Sequence, residues 1–339
     1  MMLRLGLMPG GWFGLTSRRL QVLWFGMLLG FGMVACTPEA AQRQGETNTP
    51  QVVATTTIVA DLTDQIGGSA IQLTRLLKPG DDPHTYEPVP TDSVALEQAD
   101  LILYNGFNLE PGVMRLMNAV GMRASKLAVG EVVTPLDIEY EGQKVPDPHV
   151  WGDVENAIAM VAAIKTALID LVPTQRQQIQ QNADRLTAAL EQLDAWVKQQ
   201  IATIPANNRQ LVTTHDAFQY YAHAYGLRIV GTLIGLSTEE QPSAQTIRSL
   251  VAAIKQTGVP AIFAETTVNP ALITTVAEEA GVQLAPRPLY ADAIGAPGSD
   301  GDSYLKMIEA NTRTIVEALG GTYTPLQTGE AANSGHTNR

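Results

Sequence analysis

Apolar and polar positions change period several times along the chain, and each change marks an element. Val52-Val53-Ala54-Thr55-Thr56-Thr57 is largely β-branched and reads as a strand. Helical spacing follows from Ile58 to Ile66 and is closed by Gly67-Gly68. Ile71 to Leu77 and Leu101 to Tyr104 are two further strands, with a short helix over Thr91 to Gln98 between them. Leu109 to Val120 reads as a helix and Lys126 to Val129 as a short strand. The segment Thr134 to Pro148 breaks the alternation and is expected to be loop.

A longer period takes over after that. Asp153 is placed to cap a helix that runs to Leu171 and is stopped by Pro173. Thr174-Gln175-Arg176-Gln177 has capping-box spacing, and Ile179, Ala183, Leu186, Leu190, Leu193, Val197 and Ile201 then recur in steps of three and four. From Thr174 to Thr203 this predicts 30 residues of helix, roughly 45 Å at 1.5 Å per residue. Beyond Pro205 the alternation resumes. Strands are expected at Gln210 to Thr213, Arg228 to Leu233, Pro260 to Ala264 and Gln283 to Ala285. Helices are expected at Ala217 to Tyr225, Ser243 to Gln256, Pro270 to Ala280 and Tyr304 to Leu319. Alternating strands and helices imply sheets that are mostly parallel and covered on both faces. The expected class is therefore α/β, with two βα lobes, 52–172 and 205–325, joined by one long rigid helix over 173–204.

The ends of the chain have a different character. Arg4, Arg18 and Arg19 precede an uncharged run from Leu20 to Ala35 that ends at Cys36, with no acidic residue before it. A basic start, an apolar middle and small residues before a cysteine describe a bacterial lipoprotein signal over 1–36, with Cys36 as the lipidated residue. An uncleaved anchor fits less well, because sixteen residues fall short of the roughly 20 that a spanning helix needs. Residues 37–51 read as a flexible polar tether and 326–339 as a disordered tail. Cys36 is the only cysteine, so the mature chain has no disulfide, and any metal in it must be held by nitrogen and oxygen. Removing the three arginines of the signal from 22 basic residues leaves 19 against 34 acidic ones, a net −15. That balance argues against a nucleic-acid partner.

Two of the five histidines share a local frame. Asp82-Pro83-His84 is matched by Asp147-Pro148-His149, the first followed by Thr85-Tyr86-Glu87-Pro88 and the second by Val150-Trp151. Core histidines have no reason to share such a frame, and proline stiffens both segments as loops. We read His84 and His149 as metal ligands. His215 stands where a strand ends and a helix begins, and Asp292 lies beyond the last short strand. In open α/β sheets ligands collect at the carboxyl ends of strands, so His84, His149, His215 and Asp292 are expected to meet there, two from each lobe. Three imidazoles and one carboxylate fill a tetrahedral shell for zinc. Taken singly, His215 is as easily a capping residue and Asp292 a turn residue. Glu265, Asp82, Asp147 and Asp216 are candidates to orient the imidazoles from behind, whereas His223 reads as a solvated helix residue and His336 belongs to the tail.

From Val52 to Leu319 the chain resembles the substrate-binding lipoproteins of ABC importers for zinc and manganese. The resemblance is carried by Asp-Pro-His-Thr-Tyr-Glu-Pro (82 to 88), Asp-Pro-His-Val-Trp (147 to 151), Thr-His-Asp-Ala-Phe (214 to 218) and Tyr-Ala-Asp-Ala-Ile-Gly (290 to 295), together with the long central helix. It implies one metal, Zn2+ or Mn2+, buried in the interlobe cleft on His84, His149, His215 and Asp292. It also implies an ABC transporter permease as partner, an extracytoplasmic location on a lipid anchor, and a binding protein rather than an enzyme. A monomer is expected. The third ligand of the family is histidine in many zinc binders and glutamate in typical manganese binders, so His215 looks zinc-like. The His-rich loop that often follows the first ligand in zinc-specific members is missing, since residues 88 to 99 contain no histidine, and this keeps manganese in play. A secreted zinc hydrolase, with Asp292 as general base and water in the fourth position, is the alternative. No His-Glu-x-x-His helix, Gly-x-Ser-x-Gly or phosphate loop favours it. An adhesin with a structural metal is a weaker third reading.

Overall fold

The computed structural model describes residues 49–140 and 142–327. The expected signal with Cys36, the tether up to residue 48, and the tail beyond Gln327 with His336 lie outside the described residues. Of the boundary residues that are described, Gln51 already belongs to the first strand and Leu326 packs against the core. The N-terminal lobe begins with β1 (Gln51–Ala54) and α1 (Thr57–Gly67), followed by β2 (Gln72–Arg75), α2 (Pro90–Gln98) and β3 (Leu101–Tyr104). It continues with α3 (Pro111–Val120), β4 (Ser125–Ala128), β5 (Asp137–Tyr140), β6 (Gln143–Pro146) and α4 (Val154–Leu171). The first four strands form one parallel sheet in the order β2-β1-β3-β4. The strand expected over 52–57 stops at Ala54, because Thr56 leaves it to cap α1, its hydroxyl accepting from the Val59 N–H at 3.2 Å.

Residues 134–148 are not the loop that was expected. β5 and β6 pair antiparallel, Asp137 opposite Pro146 and Tyr140 opposite Gln143. Gly142, at φ 74°, takes the left-handed conformation that the tight turn requires. Two four-residue strands paired only with each other bury little apolar surface, so the hydrophobic pattern does not announce them.

The long helix α5 runs over Arg176–Ala202, 27 residues or about 40 Å. It starts two residues later than the capping box suggested. Pro173 opens a 3-10 turn over Pro173–Gln175, which puts Thr174 inside the turn instead of at the helix cap. Ile179, Ala183, Leu186, Leu190, Leu193, Val197 and Ile201 are all buried as the period required, joined by Trp196. Each leucine so buried contributes about 1.5–3 kcal/mol. α5 packs on α1, α4 and α9 (Tyr304–Ala318), so one apolar core runs along it from the first lobe into the second.

The second lobe holds β7 (Gln210–Thr213), α6 (Gln219–Tyr225), β8 (Arg228–Thr232) and α7 (Ala244–Thr257), then β9 (Ala261–Ile262), α8 (Ala271–Ala280), β10 (Gln283–Leu284) and α9. β7 pairs with β8 and β9 with β10, both parallel, and the Phe263 N–H donates to the Val212 carbonyl to bring β9 beside β7. β9 is two residues where five were expected. Its continuation becomes an isolated parallel bridge between Glu265 and Leu289, and the N–H groups of Thr214 and His215 that would lengthen β7 are taken by the Glu265 side chain. Two α/β lobes with parallel sheets and one long helix are thus the fold that the sequence implied.

Candidate metal centre

The repeated Asp-Pro-His triplet has one local explanation. In each copy the aspartate Oδ1 accepts the histidine backbone N–H two residues on, at 2.9 Å in both. The proline between fixes φ and offers no competing donor, so the turn is held from both sides. His215 reaches the same condition from a distance: Glu265 Oε1 accepts the N–H groups of Thr214 and His215 at 2.8 and 2.9 Å. Each histidine therefore has its backbone tied to a carboxylate.

Asp292 is fixed by its neighbours. The Ala291 carbonyl accepts Trp151 Nε1–H at 3.0 Å, and the Ile294 N–H donates to Thr57 Oγ1 at 3.1 Å. Both partners belong to the first lobe, and the Tyr304 hydroxyl of α9 adds a 2.6 Å bond to the Trp151 carbonyl.

These segments bring His84, His149, His215 and Asp292 together. One potential ligand atom from each lies within 4.8 Å of all the others, and all four residues are buried. His84 Nε2 and His149 Nε2 are 3.2 Å apart, His149 Nε2 and Asp292 Oδ1 3.4 Å, and His215 Nε2 and Asp292 Oδ2 3.2 Å. The expectation that all four stand at strand ends holds only in part. His215 follows β7 directly, but His84 lies nine residues beyond β2, and His149 follows β6, a strand of the antiparallel hairpin.

Of the candidate orienting carboxylates, Asp147 and Glu265 meet imidazoles. Asp147 Oδ1 takes His149 Nδ1 at 2.7 Å, and Glu265 Oε2 pairs with His215 Nδ1. Asp82 instead accepts the Thr238 hydroxyl from the other lobe, and Asp216 accepts from Gln219. His223 is exposed on α6, as expected. Sequence reasoning missed Thr238 and a buried platform beneath His149. There Asn105 Nδ2 donates to the Pro148 carbonyl, while Glu110 accepts the Asn105 N–H and the Thr55 hydroxyl. Burial pushes the Glu110 carboxyl up to about 6. A run of Asn-Gly-Phe-Asn reads only as a turn, so nothing in it announces that contact.

The charges divide the three imidazoles. Burial holds His84 neutral, lowering it to about 3. Burial also acts against charge on His149, but Asp147 and Asp292 outweigh it and raise that ring to about 9. His215 is likewise raised well above its usual value, burial being outweighed by Glu265 and Asp292. Asp292 lies well below its usual value: burial pushes it up, and His215 with the other imidazoles brings it down.

A cavity of about 620 Å³ opens onto His84, walled by Tyr86, Phe107, Asn108 and Arg115 of the first lobe and by Ser237 and Glu239 of the second. Phe107 and Asn108, at φ 50° and 58°, are the non-glycine residues in left-handed backbone among those described. Strained backbone of this kind concentrates at functional clefts.

Two lobes that share a core along one helix, and that enclose polar donors contributed by both, define a substrate-binding protein. The chain belongs to the family described as ZnuA, zinc-uptake complex component A, periplasmic, which matches residues 52–318. It is 34% identical over 306 residues to the metal ABC transporter substrate-binding lipoprotein FimA of Streptococcus parasanguinis, covering 88% of this chain and 98% of that one. It is 33% identical over 270 residues to the manganese-binding lipoprotein MntA of Halalkalibacterium halodurans, covering 79% and 88%. Among solved structures it resembles the periplasmic zinc-binding protein TroA of Treponema pallidum, with a TM-score of 0.76 and 34% identity over 80% of this chain and 99% of that one.

Proposed function

We propose that this protein captures a divalent transition metal outside the cytoplasmic membrane, as a lipid-anchored monomer, and delivers it to an ABC transporter permease. His84, His149, His215 and Asp292 are the ligands in this reading, with lobes 52–172 and 205–325 closing on the ion around the 173–204 helix. The observation that carries it is a set of orphaned atoms. His215 Nε2 and both oxygens of Asp292 are buried and make no well-formed hydrogen bond. The polar atoms near them are one another and His149 Nε2, at 3.2–3.4 Å, a crowding of would-be ligands that folded proteins accept where an ion belongs. The three closest approaches, 3.2–3.4 Å, match the edge of a tetrahedron of donors about 2.0–2.1 Å from a zinc ion, which is roughly 3.3 Å.

Three imidazoles favour zinc, and zinc is the cargo we propose. Manganese is the second reading, and a specific feature favours it. The two Asp292 oxygens face different imidazoles, so a bidentate carboxylate would supply five donors, which suits a harder ion. Relatives named for manganese, such as MntA, point the same way. The hydrolase alternative needs an open fourth position and a free general base. Against it, Asp292 is buried among the imidazoles with His149 and His215 on either side. Titration of metal-free protein with zinc and then manganese, followed by their competition, tests the proposal. Tight, reversible 1:1 binding to a folded chain is expected, and a metal-free chain that is unfolded, or one that binds neither ion, would contradict it.

Loading must displace protons, because a ligating imidazole is neutral. With His149 raised to about 9 and His215 raised well above its usual value, both rings are protonated in the metal-free protein at neutral pH. Binding at pH 7 is expected to release about two protons, so that affinity climbs by about two decades per pH unit. Calorimetric titration in buffers of different ionisation enthalpy counts them, and release of none would contradict the charges assigned. The same protons stabilise the metal-free fold. A histidine raised from 6.5 to about 9 contributes fully below the lower value and loses its contribution as pH rises through the upper one. The thermal midpoint of the metal-free protein is therefore expected to fall across that window.

Anchoring and capture occupy separate stretches of chain. Cys36→Ser is expected to release the protein from membranes while leaving metal affinity unchanged, measured by cell fractionation and titration. A variant that still sediments with membranes after signal cleavage would remove Cys36 as the lipid site.

A further inference from the structure

His84 is held differently from the other three converging side chains. Asp147 holds the ring of His149 and Glu265 that of His215, but among the described residues no hydrogen bond reaches His84 Nδ1. A ligand imidazole without such a partner has neither its orientation nor its basicity reinforced. His84 is also the most exposed of the four, at 5% against 0%, 0% and 1%, and the only one that lines the 620 Å³ cavity.

The contacts between the lobes are just as uneven. Behind the site, Trp151 and Thr57 bond the backbone on either side of Asp292, Tyr304 bonds Trp151, and the Tyr304 N–H bonds Asp61. On the His84 side a single hydrogen bond joins residues 78–90 to the second lobe: Asp82 accepts the hydroxyl of Thr238. The other oxygen of Asp82 holds the His84 N–H, so the same carboxylate grips the ligand's backbone and the opposite lobe.

We propose that His84 is the exchange ligand through which metal enters and leaves by the cavity at its side, and that the Asp82–Thr238 hydrogen bond is the clasp holding its loop over a bound ion. His149, His215 and Asp292 remain in place on the pinned side and hold the ion while His84 swings away. This rests on the four-residue metal site proposed above, and it makes Thr238 a positioning residue that touches no metal.

The test is zinc dissociation into excess chelator, followed by stopped flow. Thr238→Val keeps the shape and removes the donor, and is expected to release zinc about tenfold faster. Thr238→Ser restores the hydroxyl and should restore the parental rate. Both should bind one zinc and remain folded, Thr238→Ser with the metal-free thermal midpoint of the parent and Thr238→Val melting only a few degrees below it. His84→Ala should still bind one zinc, weakly and with fast release, and adding Thr238→Val to it should accelerate release no further, because the clasp acts through His84. An unchanged rate in Thr238→Val overturns the proposal. So does an equal acceleration in the His84→Ala background, or a His84→Ala variant that binds no zinc. If the parent itself binds no metal, it is the proposed function that fails, and the parental titration shows this before any variant is compared.

Discussion

His149→Ala is expected to lower zinc affinity by about two to three decades and to destabilise the metal-free fold as well. A four-ligand zinc site is worth about 10–16 kcal/mol, so a quarter share is about 2.5–4 kcal/mol, and each decade takes about 1.4 kcal/mol. The second effect comes from Asp147, which is fully buried and gives one oxygen to both the backbone N–H and the ring of His149. Removing the ring leaves that carboxylate without its counter-charge, a change that costs about 3–5 kcal/mol when a buried pair is broken from one side. Asp147→Asn in the same chain removes the stranded charge, so the double variant should recover stability but not affinity. Chelator competition and thermal melting separate the two effects, and parental affinity in His149→Ala would remove His149 from the site.

His215→Glu should shift preference from zinc towards manganese by about tenfold or more. Nitrogen-rich sites favour zinc over manganese almost regardless of geometry, and a carboxylate in place of an imidazole hardens the donor set. From the sequence alone this exchange is expected to leave stability untouched, since glutamate suits the start of a helix. Glu265 changes that expectation. Its carboxylate faces His215 directly, so glutamate at 215 would set three buried carboxylates, 215, 265 and 292, against one another. Like charges in a dry site disfavour ionisation. The metal-free variant should therefore melt below the parent, and bound metal should close most of the gap. The zinc-to-manganese affinity ratio, measured in one competition assay for both proteins, is the readout. An unchanged ratio would mean that His215 is not a ligand.

What was legible in the sequence is what local chemistry governs. The Asp-Pro-His repeat could be recognised because its hydrogen bond closes over two residues, inside the motif itself. The long helix could be recognised because seven apolar positions keep one period. Its start was misplaced because a proline turn and a capping box compete for the same residues, and only packing decides between them. The β5–β6 hairpin was missed because two short strands paired only with each other need little hydrophobic signal. The pairing of His215 with Glu265 spans 50 residues and the Asp82–Thr238 contact 156. For the first, the end of a buried strand drew attention to Glu265. For the second, Leu-Ser-Thr-Glu-Glu reads as an ordinary polar loop, and the meeting of the lobes alone gives Thr238 its place.

The most direct test of the account is a crystal structure of the zinc-loaded protein with the metal located by its anomalous scattering. One peak is expected between the lobes, about 2.0–2.2 Å from Nε2 of His84, His149 and His215 and from an oxygen of Asp292. A peak held by other residues, or one from which any of these four side chains is turned away, would contradict the site proposed here.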